Sequence, residues 1–182
     1  TVLRDPPWAR KRKTPAPPAV AGLAPVVIAD RLAFGAGEQE DWARRTSYCP
    51  AGEQDWPRLA AGTEELTAAL LAACPTEFAP ALAPRATRAS WYDAGWYPAI
   101  AARHGLAALP FFERRLEGDL AGTLPFLVPF GVSRFAPVIA AAYSGKKSLR
   151  ADARSWLLRH PEHAAAGLLA PALGKAGRAR QD

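Results

Sequence analysis

The stretch "WLLRHPEHAAAGLLAPALG", residues 156–174, holds the side chains best equipped for chemistry: His160, Glu162 and His163. Imidazoles beside a carboxylate are the donor types of a zinc site and the proton carriers of general acid–base catalysis. A metal needs a third and a fourth ligand, and the sequence offers no further His/Cys cluster. The same letters also carry a structural message. Pro161 disfavours helical geometry at His160, yet it suits the first position of a new helix, where Glu162 meets a positive helix end. The stretch therefore reads as a corner, with His160 in the link and His163 inside the helix that follows.

Cys49 and His104 are a nucleophile and a base in principle, but no local motif joins them. No Gly-x-Ser-x-Gly elbow, P-loop or His-Glu-x-x-His occurs. The acidic pairs Glu38–Glu40 and Glu64–Glu65 fall at expected helix starts, where solvated carboxylates belong. The expectation is a protein that is not an enzyme, with no catalytic residue, no cofactor and no metal ligand.

Binding has better candidates. In "SWYDAGWYP", Trp91, Tyr92, Trp96 and Tyr97 surround Asp93, a set able to stack on a flat ligand, cage a cation or meet a partner. Packing of a loop over helix ends is the plainer use of such large rings. In "ARKRK", Arg10, Lys11, Arg12 and Lys13 are candidate phosphate contacts. Readers of single strands interleave aromatics with basic residues, and here only Trp8 is near, so a solvated connector is the favoured reading.

Charge supports that preference. The 182 residues carry a net +6. Residues 1–13 hold +4 of it and residues 175–182 the other +2, which leaves the middle neutral. A pI near 9.7 thus reflects two ends instead of a basic domain face, and a protein partner is expected before a nucleic acid. No apolar run reaches the roughly 18–20 residues of a membrane span, and the basic start lacks the apolar region of a secretory signal. Cys49 and Cys74 have no metal spacing and read as free thiols of a reducing, cytoplasmic setting. The absence of methionine points to a piece of a longer chain.

The elements that must position these groups read as helices cut by proline and glycine. Residues 1–60 are expected to be irregular, proline-rich and basic, packed on or linking to a helical-repeat domain at 61–182. Within them "VVIADRLAF" suggests a short strand centred on Val26 to Ile28, "GAGEQEDWARR" a short helix, and "TSYCPAGEQDWP" a loop. Thr63 is the expected cap of a helix with the stripe Leu66, Ala69, Leu70 and Ala73, ended by Pro75. "PAIAARHG" and "LPFFERRLEG" each carry proline at the start and glycine at the end, and "TLPFLVPFG" reads as a short apolar helix.

Three amphipathic helices complete the chain. Phe135, Val138, Ile139, Ala142 and Tyr143 form the first stripe, closed by Gly145. Ser148 then caps a helix with Leu149, Ala153, Trp156 and Leu157 on one face. Ala165, Leu168, Leu169, Ala172 and Leu173 form the last stripe, closed by Gly174. Short links make them antiparallel neighbours.

Arg150 to Arg180 has the layout of one HEAT-like helix pair, shorter than the usual HEAT period. "WLLRHPEHAAAGLLAPALGKAGRAR" and "LPFLVPFGVSRFAPVIAAAYSGKKSLRADA", with "DPPWARKRK" and "FGAGEQEDWARR" more weakly, resemble the large bacterial proteins called molybdate-metabolism-regulator-like, or MolR-like. Residues 46–109 have no counterpart in that resemblance. It implies a domain of unknown function, helical repeats, a cytoplasmic setting and often a WGR domain elsewhere in the chain, with no catalytic residues to carry over. The expectation is an all-α fold of short antiparallel helices in a HEAT-like α-solenoid arrangement, serving as a scaffold or interaction segment. A nucleic-acid-associated regulatory module using the basic N-terminal segment is the alternative.

Overall fold

In a computed structural model, the protein is described over residues 27–45, 54–87 and 93–173, with side chains throughout except at 93 and 170–173. Arg10, Lys11, Arg12, Lys13, Trp91, Tyr92, Val26, Cys49 and Gly174 lie outside the described residues. The fold is all-α, apart from a two-stranded ribbon.

Proline and polar caps set most helix starts. α1 (Glu38–Arg44) follows Gly37, whose φ of 70° suits glycine, and the Glu38 carboxylate reaches back to Gly35 N at 2.6 Å. α2 (Trp56–Ala61) falls where the sequence suggests loop and irregular chain, yet Asp55 caps it by accepting from Arg58 N at 3.1 Å, with Pro57 in its first turn. α3 (Ala68–Ala73) starts later than expected. Its cap is Thr67, not Thr63, because Leu66 N is drawn to Arg85 O at 2.8 Å and the Arg85 guanidinium holds Glu64 O. The inward face shifts with it, to Leu66, Ala68, Leu71 and Ala72. α4 (Ala79–Leu82) is a single turn flanked by 3₁₀ turns.

α5 (Tyr97–His104) and α6 (Leu109–Gly118) begin with Pro98 and Pro110 in their first turns. Gly105 closes α5 at φ 53°, where a Cβ would strike Leu32 Cδ1 at 2.6 Å. α7 (Leu120–Leu127) is capped by Asp119. The "PFG" that follows is not helical. Pro129 has no N–H to continue the ladder, and Phe130–Gly131 forms β2 against β1 (Arg31–Leu32). The register pairs Arg31 with Gly131 and Leu32 with Phe130, antiparallel, extended by Ala33 N donating to Pro129 O at 2.8 Å. The N-terminal strand therefore sits later than Val26 to Ile28, and Val27 is 90% exposed.

α8 (Ala136–Gly145), α9 (Arg150–Arg159) and α10 (Pro161–Leu173) are the three C-terminal helices, and α8 packs on both of the others. Phe135, Ile139 and Ala142 meet Leu149, Ala153 and Trp156 in the core. Ser148 caps nothing. It lies exposed in the 3₁₀ turn Lys147–Leu149, and α9 starts without a side-chain cap. The α10 stripe is rotated from expectation: Ala165 and Leu169 face out, while His163 and Ala164 face in. Gly167 permits this packing, since a Cβ there would lie 1.9 Å from Ser133 O.

α8, α9 and α10 pack on one another as sequence neighbours, and distant parts of the chain also close on one another. α1 packs on α5, and Trp42 stands edge-on to Phe34 and Phe126 at 5.7 and 5.9 Å. The described part of residues 1–60 is thus built into the same core. No helix among the described residues is long and apolar enough to cross a membrane.

Candidate functional site

The histidine corner forms because α9 cannot run through Pro161. His160 ends it with φ −130° and ψ 56°, and Pro161 opens α10. Both imidazoles are turned fully inside, His160 and His163 each at 0% exposure. His160 Nε2 lies 2.9 Å from Val128 O, and His163 Nε2 lies 3.1 Å from Ala29 O. A carbonyl only accepts, so each Nε2 carries a proton. Trp156 Nε1 donates to Phe130 O at 2.7 Å. Three ring N–H groups therefore grip main-chain carbonyls of the ribbon and its approaches.

Gly131 makes the close approach possible. A Cβ there would meet His160 Nδ1 at 2.8 Å, Arg31 Cγ at 3.0 Å and His163 Cε1 at 3.1 Å. Outside this core, Arg31 pairs with Glu162. His163 Nδ1 lies 3.3 Å from Glu162 Oε1 but off the axis of a hydrogen bond. The backbone N–H of Glu162 itself is the main cause holding its carboxyl below the usual range, with help from Arg31 and His163. Burial is the main cause pushing His160 below the ordinary imidazole value, reinforced by Arg31, His163 and Arg159 and opposed by the Val128 bond. Burial thus favours the neutral form of His160, whose Nδ1 has no hydrogen-bond partner among the described residues.

This arrangement clamps α9 and α10 to the ribbon and its approaches. A general base must reach a substrate proton, and these rings reach carbonyls of their own chain. No group of three or more His, Cys, Asp or Glu side chains converges as a metal set among the described residues.

His104 also has a partner the sequence did not disclose. It faces Cys74, with Nε2 3.7 Å from Sγ and 2.7 Å from Leu71 O. The shorter contact assigns the Nε2 proton to the carbonyl, so this nitrogen cannot deprotonate the thiol. Burial pushes the Cys74 thiol up to about 11 and pushes His104 down, which keeps both neutral. The packing of α3 on α5 creates the pair, and no spacing in the sequence announces it.

The aromatic candidates divide. Tyr97 is 4% exposed and stands edge-on to Phe111, Phe112 and Phe126 at 5.3, 6.0 and 5.4 Å, a core residue and not a ligand surface. Trp96 is half-buried against the same core. Asp93 opens the 3₁₀ turn Asp93–Trp96. Periodicity could not place Tyr97 inside, because its partners lie on α6 and α7.

Sequence reasoning also missed the ties from the first described segment to the far end of the chain. Arg159 Nη1 donates to Ala33 O at 3.2 Å and to Glu38 at 2.9 Å, and Arg134 joins Asp30 at 2.7 Å to Glu113. An open cleft of about 420 Å³ lies over α6, lined by Pro84, Pro110, Glu113, Arg114 and Glu117. No protein-family model, no curated protein and no solved structure matches this chain.

Proposed function

We propose that this chain is a non-catalytic, HEAT-like helical scaffold segment of a larger cytoplasmic bacterial protein of the MolR-like kind. It serves contacts with a partner protein or with other segments of its parent chain. The observation that supports this reading is the use made of the interior polar groups. His104, His160, His163, Trp156 and Arg159 all bond to main-chain carbonyls, which locks helices and ribbon into a fixed frame. Such bonds favour a rigid surface over a reactive site.

The outer sides of α9 and α10 carry Leu158 at 66% exposure and Leu169 at 37%. In the scaffold reading these residues meet a neighbouring helix, and in isolation the chain should self-associate weakly through them. Sedimentation velocity over a wide concentration range tests this. Reversible association that disappears in Leu158→Ser/Leu169→Ser is the expected result. A chain that stays monomeric at high concentration would refute it.

A further inference from the structure

The middle of the sequence is neutral in sum, yet the fold segregates its charge. α8 ends at Gly145, Lys146 and Lys147 lead into α9, and the outer face of α9 then carries Arg150 and Arg154. All four side chains are exposed, and none pairs with a carboxylate among the described residues. Asp152 is the sole acid between residues 136 and 160, and Arg159 is turned away to Glu38. Tyr143, 39% exposed, stands at the head of this stripe. Arg150 Nε donates to Tyr143 O at 3.0 Å, and its guanidinium lies 5.9 Å from the centre of the Tyr143 ring.

Helix formation explains only half of these cations. Lys146 and Lys147 sit at the negative end of α8, where positive charge is favourable. Arg150 opens α9, where the helix dipole by itself disfavours a cation, and its guanidinium rests instead on Tyr143 O in the last turn of α8. Arg154 stands one turn further along the same face, with its Cβ roughly 5–6 Å away. Four exposed cations with no carboxylate partner among the described residues leave a net positive surface, and such a surface calls for a polyanion.

The chain does not supply that polyanion from its ends, because residues 1–13 carry +4 and residues 175–182 carry +2. A second copy presenting the same face is repelled as well. An exposed ring among cations meets what a single strand offers, since bases stack on the aromatic while phosphates meet the charges. The geometry points to a binding face for the sugar–phosphate backbone of a single-stranded nucleic acid, formed by Tyr143, Lys146, Lys147, Arg150 and Arg154. It reads charge and one stacked base, without sequence preference. This face is independent of the scaffold reading, and the two are decided by separate experiments.

The test is fluorescence anisotropy of a labelled oligothymidylate of ~16 nucleotides titrated with the full chain between ~50 and ~200 mM salt. The variant Lys146→Gln/Lys147→Gln/Arg154→Gln removes exposed cations that pair with no carboxylate among the described residues, so its thermal melt should fall only slightly, by the loss of the two lysines at the negative end of α8. Its affinity at the lower salt is expected to fall at least about tenfold, and the slope of log K against log salt should shrink by about 2. Tyr143→Ala is expected to weaken the single strand by about tenfold and leave a duplex unchanged. Neutralising Arg10, Lys11, Arg12 and Lys13 should leave most of the binding intact. The proposal is overturned if the triple variant binds like the wild type, or if neutralising the N-terminal cluster alone abolishes binding. Polyglutamate competing as well per charge as the oligonucleotide would also overturn it, and would mark the face as one for acidic protein.

Discussion

Replacing His160 with leucine should cost the fold about 1–3 kcal/mol at neutral pH and also flatten its sensitivity to acid. Leucine keeps most of the ring's volume, so the cavity contribution is small and the loss comes chiefly from the hydrogen bond. Val128 O, which accepts from His160 Nε2 at 2.9 Å beside a fully buried ring, would be left without its donor. The acid dependence follows from burial, which sets the folded His160 below its ordinary value. In the unfolded chain the imidazole takes a proton near pH 6.5, whereas the folded chain resists until the pH is lower. Between those points the unfolded state holds more protons, so stability is complete above about pH 7 and declines as pH falls. Each such histidine contributes a slope of at most about 1.4 kcal/mol per pH unit. His104, lowered by the same cause, contributes a second. Urea unfolding followed by far-ultraviolet circular dichroism from about pH 7.5 to about 5.5 reads both effects. His160→Leu should show a lower midpoint at the top of this range and a shallower slope than the wild type. His160→Gln, whose amide nitrogen can still donate to Val128 O, should restore part of the stability but not the slope. An unchanged slope in His160→Leu, or a glutamine as costly as the leucine, would refute the clamp.

Two further results are expected. Gly167→Ala should destabilise by about 3 kcal/mol or more, because its Cβ would lie 1.9 Å from Ser133 O and α10 must move off α8. Gly118→Ala, with nothing among the described residues within 4 Å of the new Cβ, should be neutral to about 0.5 kcal/mol stabilising, and matched thermal melts compare the two. In a Cys49→Ser chain, Cys74 should resist thiol reagents at mildly alkaline pH, since its pKa stands at about 11 and it is 0% exposed. Modification should accelerate only in urea, and rapid labelling of the folded chain would contradict the burial argument.

The corner at residues 160–161 was legible because proline acts locally, through its own ring and its missing N–H. Pro98 with Gly105, and Pro110 with Gly118, marked α5 and α6 for the same reason. The phases of α3 and α10 were not legible. Alanine is so frequent that several faces of each helix are small and apolar, and the neighbour decides which one turns inward. On α10 the deciding contact is Gly167 against α8, which rotates His163 into the core and Leu169 out of it.

The histidines show the same division at the level of a site. Their identity and spacing raised a metal or a base, while their actual partners are carbonyls of residues 128 and 29, the latter 134 positions away. Charge behaves likewise, since a neutral sum hid four exposed cations in the turn between α8 and α9 and the first turns of α9. The sequence by itself determined the bend at residues 160–161 and the ends of α5 and α6, because proline and glycine act through a residue and its next few neighbours. Only the tertiary structure decided which faces are buried, which imidazole protons are engaged and where charge accumulates. Those properties depend on groups brought together across the whole chain, and pairing at that distance leaves no periodic mark.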